Sequence, residues 1–175
     1  MVESGKYFFT FEYQIYLEYM TPRFKGEFEC KLDAKGRLMF PSRLKVSLPA
    51  ENTKSLILKK GFEPCLTIYP LAEWEKIMGR FEHLDEFDVR ARKFERSFLR
   101  GADEIEMDSN FRFLIPKKFI NELGFKKEVV VVGVNNRIEI WDAETLDNYV
   151  AGEDEFSELA ADMMKASKSN QQEGS

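Results

Sequence analysis

The chain has 175 residues, 43% of them hydrophobic, which is enough for a core and excludes a chain disordered throughout. This length accommodates one large or two small domains. The formal net charge of −5 by itself argues against a nucleic-acid partner, and no run of 18 apolar residues indicates a membrane-spanning helix.

Residues 1–22 are predicted to be an N-terminal extension. Glu12, Gln14 and Glu18 interrupt its apolar residues, and it lacks the basic start of a signal peptide. The alternating stretch YFFTFEYQIY favours pairing as an edge strand.

A ten-residue motif occurs twice, as LDAKGRLMFP at 32–41 and as MDSNFRFLIP at 107–116. An offset of 75 (108 − 33) superposes three pairs of identical residues: Asp33 and Asp108, Arg37 and Arg112, Pro41 and Pro116. Each copy predicts a strand, a tight turn at AKG or SNF, and a second strand, Arg37–Phe40 or Arg112–Ile115. The proline then starts a short helix.

These short helices are predicted in SRLKVSL and in KKFINEL, the second ended by Gly124. A hairpin follows in each copy, in SLILKKGFEPCLTIYP and in EVVVVGVNNRIEIWD, at an offset of 72 that pairs Gly61 with Gly133 and Leu66 with Ile138. Each copy is therefore a ββαββ unit of about 45 residues, which is marginal alone. The two copies are expected to complete one core between them.

Two helices are predicted between the copies, from apolar residues at helical spacing. The first contains Leu71, Trp74, Ile77, Met78, Phe81 and Leu84, and the second contains Phe87, Ala91, Phe94 and Phe98. Both stripes are expected to pack against the sheets, while His83 is expected on a helix surface. After Trp141, AETLDNYV predicts another helix that AGEDEFSELAADMMKAS extends, and SKSNQQEGS has the composition of a disordered end.

The predicted organisation is an extension at 1–22, a first domain at 23–75, a helical linker at 76–103, a second domain at 104–150, and an acidic helix with a disordered tail at 151–175. Charge follows this division. Residues 139–175 carry ten acidic residues and two lysines, a balance of −8, which leaves +3 for residues 1–138. The whole-chain charge is therefore a poor guide to the partners of the body.

The repeated Asp and Arg have different predicted roles. Asp33 and Asp108 can accept backbone N–H bonds and so shape the turn, and either could also pair with the arginine four residues later. Gly36 permits a positive φ, and Pro41 and Pro116 end the strands. Arg37 and Arg112 offer a planar, permanently charged fork that suits guanine or phosphate. The nearby bases Lys31, Lys35 and Arg43 are expected to contact phosphates.

Several segments in combination resemble the MraZ family of bacterial transcriptional regulators of the division and cell wall gene cluster. They are RFKGEFECKLDAKGRLMFPSRL, GFEPCLTIYPLAEW, ARKFERSFLRGADEIEMD, FRFLIPKKF and VVVVGVNNRIEIWDAETLDNY, covering about residues 23–150. The resemblance implies an α+β fold: a duplicated swapped-hairpin AbrB-like β-barrel with linking helices and a pseudo-two-fold axis within the chain. It also implies ring-like homo-oligomers that bind short, G-containing direct repeats of double-stranded DNA in their own promoter, with Arg37 and Arg112 at the DNA-contacting positions. A repressor of this kind is expected in the cytoplasm, associated with the nucleoid.

The second motif departs from the family pattern. Phe111 replaces the glycine, and Asn110 stands where the first copy has Lys35. If Phe111 alters the turn, Arg112 points elsewhere, so Arg37 is the principal candidate. The front end departs as well, because the family resemblance implies a start a few residues before FKGEFECKLD, where Met20 stands. Residues 1–19 are therefore expected to be either an upstream, mis-assigned start or a lineage-specific extension.

Two other classes of function compete with a DNA-binding regulator. An oligomeric protein-interaction scaffold would use the acidic tail or the apolar N-terminus. A metal-dependent hydrolase using Asp33 and Asp108 ranks last, because the neighbouring arginines oppose a divalent cation. Cys30, Cys65 and His83 are too few for a structural zinc site, and the cysteines are expected as buried, reduced thiols or as one disulfide. No enzyme activity, cofactor, membrane or small-molecule substrate is expected.

Overall fold

The computed structural model describes residues 23–48 and 56–172, with side chains to residue 166. The strands are β1 Phe24–Lys31, β2 Arg37–Met39, β3 Leu56–Lys60, β4 Leu66–Pro70, β5 Asp103–Ile105, β6 Arg112–Leu114, β7 Glu128–Asn135 and β8 Arg137–Trp141. The helices are α1 Ser42–Lys45, α2 Leu71–Phe81, α3 Val89–Leu99, α4 Lys117–Glu122, α5 Ala143–Tyr149 and α6 Glu153–Gln172. The predicted extension at 1–22, with its edge strand, lies outside the described residues.

The strands form one six-stranded antiparallel sheet, in the order β1-β7-β8-β4-β3-β5, and one two-stranded ribbon of β2 and β6. The α+β class is therefore confirmed. The expected closed barrel is not found: in residues 23–48 and 56–172, β1 and β5 are the two edges of an open sheet.

The two copies exchange their first strands. In the first copy β1 pairs with β7 of the second copy, and in the second copy β5 pairs with β3 of the first. The second strands, β2 and β6, pair with each other, and so do β4 and β8. Strands of each copy therefore complete the backbone hydrogen bonds of the other.

The register of these pairs has two-fold symmetry. In the ribbon Leu38 lies opposite Phe113, and Arg37 and Met39 lie opposite Leu114 and Arg112. The offset of 75 converts the Arg37–Leu114 pair into the Met39–Arg112 pair, and it converts the central Leu38–Phe113 pair into itself. The flanking bonds are also equivalent, since Phe40 N donates to Phe111 O at 2.8 Å and Ile115 N to Gly36 O at 3.0 Å.

The predicted strand–turn–strand of the first copy is present, but β1 pairs along its length with β7, and Leu32, which follows β1, forms an antiparallel bridge with Leu38 of β2. One predicted correspondence in the later hairpins needs correction. In the later hairpins Leu66 does correspond to Ile138, since both occupy equivalent places in the β4–β8 pairing. However, Lys60 lies opposite Leu66 and Gly133 lies opposite Ile138, so Gly133 corresponds to Lys60 and not to Gly61.

The core lies between the ribbon, the short helices and the large sheet. Leu38 and Phe113, at the centre of the ribbon, point inward and are 1% exposed. They join a cluster of buried residues from both copies, among them Leu58, Ile68, Ile115, Val131, Ile138 and Ile140. Because the alternate residues of β2 and β6 face this core, the remaining residues of the ribbon face outward.

The two linker helices pack through aromatic rings. Phe98 of α3 has its ring centroid 5.8 Å from Trp74 and 4.9 Å from Phe81 of α2. The predicted stripes are otherwise a little too long: Phe87 precedes α3 and is largely exposed, and His83 lies in an exposed turn after α2. Asp88 caps α3 instead, accepting a bond from Arg90 N at 2.7 Å.

A second compact unit begins at Glu144 and contains most of α5 together with α6. The predicted helix at AETLDNYV is α5, and the acidic helix α6 is separate from it and does not extend it. The backbone of α6 is helical to Gln172, into the segment whose composition predicted disorder. Among the described residues, no helix has both the length and the apolar character needed to cross a membrane.

Candidate nucleic-acid interface

The first repeated turn is organised by the carboxylate of Asp33. Its Oδ1 accepts the backbone N–H groups of Lys35 at 2.8 Å and Arg37 at 2.9 Å. Its Oδ2 accepts Nε of Arg37 at 2.7 Å. Gly36 takes a φ of +81°, and its N–H donates to Asp33 O at 2.9 Å. One side chain therefore fixes both the shape of the turn and the Nε edge of the arginine that follows it.

The second turn has the same bonds although Phe111 replaces the glycine. Oδ1 of Asp108 accepts the N–H groups of Asn110 at 2.8 Å and Arg112 at 3.0 Å, and Oδ2 accepts Nε of Arg112 at 2.9 Å. Phe111 adopts a φ of +55°, which is uncommon for a bulky side chain. Phe111 therefore does not alter the hydrogen bonds of the turn, which was the condition under which Arg112 would point elsewhere.

The two turns face different neighbours on the opposite copy. A Cβ at Gly36 would lie 2.9 Å from Cδ1 of Ile120 on α4. At the equivalent place, Nζ of Lys45 lies 3.1 Å from the ring centroid of Phe111. Lys45 and Ile120 are themselves related by the offset of 75. Gly36 faces Ile120 in one turn, and at the equivalent places in the other turn Phe111 faces Lys45. The cation–π contact between Lys45 and Phe111 helps to stabilise Phe111 in its positive-φ conformation.

The outward face of the ribbon carries Arg37, Met39, Arg112 and Leu114. Arg37 lies opposite Leu114 and Arg112 lies opposite Met39, so the two arginines are diagonal neighbours, roughly 7–8 Å apart by general sheet geometry. Met39 is 59% exposed and Leu114 is 54% exposed. The ribbon therefore presents two charged forks beside two apolar side chains on one surface that both copies build.

The three other predicted DNA-contacting bases lie around this face with different freedom. Lys35 is exposed at the tip of the first turn. Lys31 and Arg43 line, together with Met39, an open groove of about 660 Å³. Nζ of Lys31 is paired with Oε1 of Glu128 at 3.1 Å, and the groove also contains two glutamates of β1. Of these three bases, Lys31 is therefore the one whose charge an ion pair with Glu128 already offsets.

The prolines lie where each short helix begins. Pro41 is the N-cap of α1 and Pro116 is the N-cap of α4, with φ of −57° and −56°. Pro41 O accepts Leu44 N at 3.0 Å, and Pro116 O accepts Phe119 N at 2.9 Å. Each proline follows the second strand closely, so it fixes the direction in which the chain leaves the ribbon.

The hydrogen bonds of the turns keep both aspartates ionised. The backbone N–H of Arg37, followed by its side chain, lowers the pKa of Asp33 from 3.8 to about 2. The backbone N–H of Arg112 is likewise the main cause that lowers the pKa of Asp108. Each carboxylate is therefore engaged with its arginine at neutral pH and stays charged well into the acid range.

Residues suited to metal chemistry do not converge in the part of the chain that is described. No group of three histidine, cysteine or acidic residues there could hold a metal ion. Cys30 and Cys65 are both free, so the disulfide alternative does not apply. Cys65 is fully buried, and its burial raises the pKa of its thiol to about 12.

Sequence reasoning missed two parts of this surface. The contact between Lys45 and Phe111 involves two positions at which the copies differ. The sequence signal was that Lys45 corresponds to Ile120 while Phe111 corresponds to Gly36. Met39 and Leu114 are not among the predicted site residues. Their alternation with Leu38 and Phe113 was a signal that they face the same side as the arginines.

Comparison with known proteins agrees with the duplication. The family described as "MraZ protein, putative antitoxin-like" matches residues 23–97 and again residues 98–167. The chain is similar to a Cytophaga hutchinsonii protein named "Transcriptional regulator MraZ", with 38% identity over 146 residues, 83% of this chain and 97% of that relative. A Christiangramia forsetii protein of the same name is 38% identical over 141 residues, 79% of this chain and 91% of that relative.

Proposed function

Since the chain belongs to the MraZ family, we propose that it regulates transcription by binding specific DNA through the outward face of its ribbon. The proposed target is a set of short, G-containing direct repeats in its own promoter, upstream of the division and cell wall genes. The proposed effect is repression, by a ring-like homo-oligomer.

The observation that carries this proposal is the equivalent placement of Arg37 and Arg112. Each aspartate accepts Nε of its arginine, at 2.7 Å or 2.9 Å, and Oδ2 of Asp108 also lies 2.9 Å from Nη2 of Arg112. Arginine forks held in this way can donate two bonds to O6 and N7 of guanine. A two-stranded ribbon also fits the major groove, which is about 12 Å wide.

The other predicted site residues receive supporting roles. Lys35 is proposed to contact a phosphate beside the base read by Arg37, and Lys31 and Arg43 to contact phosphates further along the strand. Asp33, Gly36 and Pro41, with Asp108 and Pro116, are proposed to shape the turns and not to touch DNA. Because Asn110 replaces the lysine in the second copy, Arg112 is expected to add less affinity than Arg37.

The exchange of strands between the copies supports an AbrB-type swapped-hairpin fold, with domains at 23–75 and 104–150 joined by the linker at 76–103. A ring would compensate for the small positive surface of each chain, because several weak contacts to repeated sites add through avidity. In this proposal the protein works on the nucleoid, in the cytoplasm, without a cofactor, a membrane or a catalytic step.

The proposal is tested by fluorescence anisotropy at fixed salt, using a labelled duplex from upstream of the gene and the same duplex with the repeats scrambled. Arg37→Ala should weaken specific binding by about tenfold or more, as expected for a lost bidentate base contact. Arg112→Ala should weaken it by a smaller factor. The matched control is Arg90→Ala, which removes an exposed, Asp-paired arginine from α3 and should leave affinity unchanged.

The outcomes separate the competing functions. Equal binding of native and scrambled duplexes by the wild type would exclude sequence-specific recognition of this promoter. Unchanged specific binding by Arg37→Ala would move recognition to another surface. Light scattering of the same samples gives the mass of the oligomer, and a large oligomer without specific binding would favour the scaffold.

A further inference from the structure

A cavity of about 740 Å³ lies away from the outward face of the ribbon, where β3, the end of α3 and α4 meet. Its lining includes Lys59, Lys60, Phe62, Phe98, Arg100 and Lys118. This is the size range of sites that enclose small organic ligands. It is called the basic cavity below.

The charge of the basic cavity is strongly positive. Four of its lining residues are basic, and Glu122 is the one acid among them. Glu122 is an ion-pair partner of Lys60. Lys118 Nζ lies 4.7 Å from the ring centroid of Phe119. Because Glu122 is paired with Lys60, the positive charges of Arg100 and Lys118 exceed the negative charge of the lining.

Lys59 is the unusual member of this set, because it is only 3% exposed. Its Nζ donates to the carbonyl of Lys60 and lies 4.1 Å from the ring centroid of Phe98. Burial lowers the pKa of this ammonium, and nearby acidic groups, Glu63 among them, oppose that shift in part. A buried ammonium has three donors, and the Lys60 carbonyl takes one of them, so a bound anion can accept from another.

The apolar part of the cavity is aromatic. Phe62, in the β3–β4 loop, is 75% exposed, and its ring centroid lies 5.7 Å from that of Phe98. Nζ of Lys59 lies 5.4 Å from the Phe62 ring. An exposed ring at the mouth of a basic cavity can stack on a flat ligand, while the cations inside bind its charged end.

The basic cavity does not belong to the duplicated DNA-binding surface. In the register of the sheet, the positions equivalent to Lys59 and Lys60 are Val132 and Gly133. The second copy therefore lacks these cations. The recessed position of Lys59 is also unsuitable for the phosphates of a duplex, which approach a protein from outside.

We propose that the basic cavity binds a small organic phosphate that carries an aromatic ring, the chemical class of the nucleoside phosphates. The phosphate is held by Lys59 and Arg100, with Lys118 beside them, and the ring stacks on Phe62. This site is independent of the proposed DNA contacts.

The test is isothermal titration calorimetry of the full chain with three probes. AMP has both recognition elements, adenosine lacks the phosphate, and ribose 5-phosphate lacks the ring. AMP should bind at least about tenfold more tightly than either of the other two, because each loses a distinct set of contacts. Arg100→Gln and Lys59→Met should each reduce AMP affinity by about tenfold or more.

The matched controls are Arg96→Gln and Lys93→Met, which remove exposed bases from α3 outside the lining of the cavity and should leave AMP affinity unchanged. Arg100 is exposed, so Arg100→Gln tests the site even if Lys59→Met does not fold. Three results would each overturn the proposal: no binding of AMP, equal binding of ribose 5-phosphate, or wild-type AMP affinity in Arg100→Gln. Displacement of AMP by a short DNA duplex would also overturn it, by assigning the cavity to DNA.

Discussion

The same chemical change is expected to have opposite effects at two glycines. Gly36 has a φ of +81°, and alanine there would bring Cβ within 2.9 Å of Ile120 Cδ1. Since Cδ1 is the end of a flexible side chain, Ile120 can move away from the added methyl group. The main cost is therefore the left-handed backbone conformation, which destabilises an alanine by about 1–2 kcal/mol. Gly79 lies inside α2 with nothing within 4 Å of an added Cβ. Alanine there should stabilise the helix by about 0.5–1 kcal/mol.

Urea unfolding followed by tryptophan fluorescence measures the difference. Gly36→Ala and Gly79→Ala should differ by about 1.5–3 kcal/mol in free energy of unfolding, with equal m-values. Gly36→Asn should lose less than Gly36→Ala, because asparagine tolerates a positive φ. If Gly36→Ala were as stable as the wild type, the turn would not require a left-handed residue, and the account of how Arg37 is positioned would fail.

Three further outcomes follow from the site and the core. The lowered pKa of Asp33 means that its ionised form stabilises the fold fully above pH 3.8 and progressively less as the pH falls toward about 2. The Tm difference between wild type and Asp33→Asn should therefore shrink across that window, and a constant difference would contradict the turn geometry. Iodoacetamide should label half-buried Cys30 first and fully buried Cys65 only on unfolding, and equal rates would contradict the burial. In DNA binding, Lys35→Ala should reduce the salt slope by about 1 for every sequence, whereas Arg37→Ala should chiefly reduce discrimination between sequences.

The local elements were predictable because their signals are local. Helical spacing located α2 and α3, and Gly124 does follow the last turn of α4 with a φ of +66°. The repeated Asp could be assigned to a turn because a short carboxylate four residues before a strand residue can reach its N–H. Such inferences depend only on residues that are close in sequence. Tertiary packing therefore changes where these helices and turns begin and end, but not whether they form.

The pairing of strands was not predictable in the same way. The alternation in β1 indicates a strand but says nothing about its partner, which is β7 of the second copy. The different lengths of the two hairpin loops also made the predicted correspondence of Gly61 with Gly133 wrong. The first hairpin has a five-residue loop after Lys60, whereas the second turns at Asn135 and Asn136, and this moves Gly133 into the place of Lys60.

The exchange of strands gives the two arginines a relation that neither copy could produce alone. If each motif formed its own hairpin, the distance between Arg37 and Arg112 would depend on how two separate units happened to pack. Because β2 and β6 are hydrogen-bonded to each other, the arginines instead occupy fixed register positions on one ribbon. The inward side chains Leu38 and Phe113 anchor that ribbon to the shared core, so the spacing of the two forks has the rigidity of the core itself. The replacement of glycine by Phe111 is compatible with this arrangement, because the contact with Lys45 stabilises Phe111 in the second turn. The ribbon maintains the geometry on which recognition is proposed to depend.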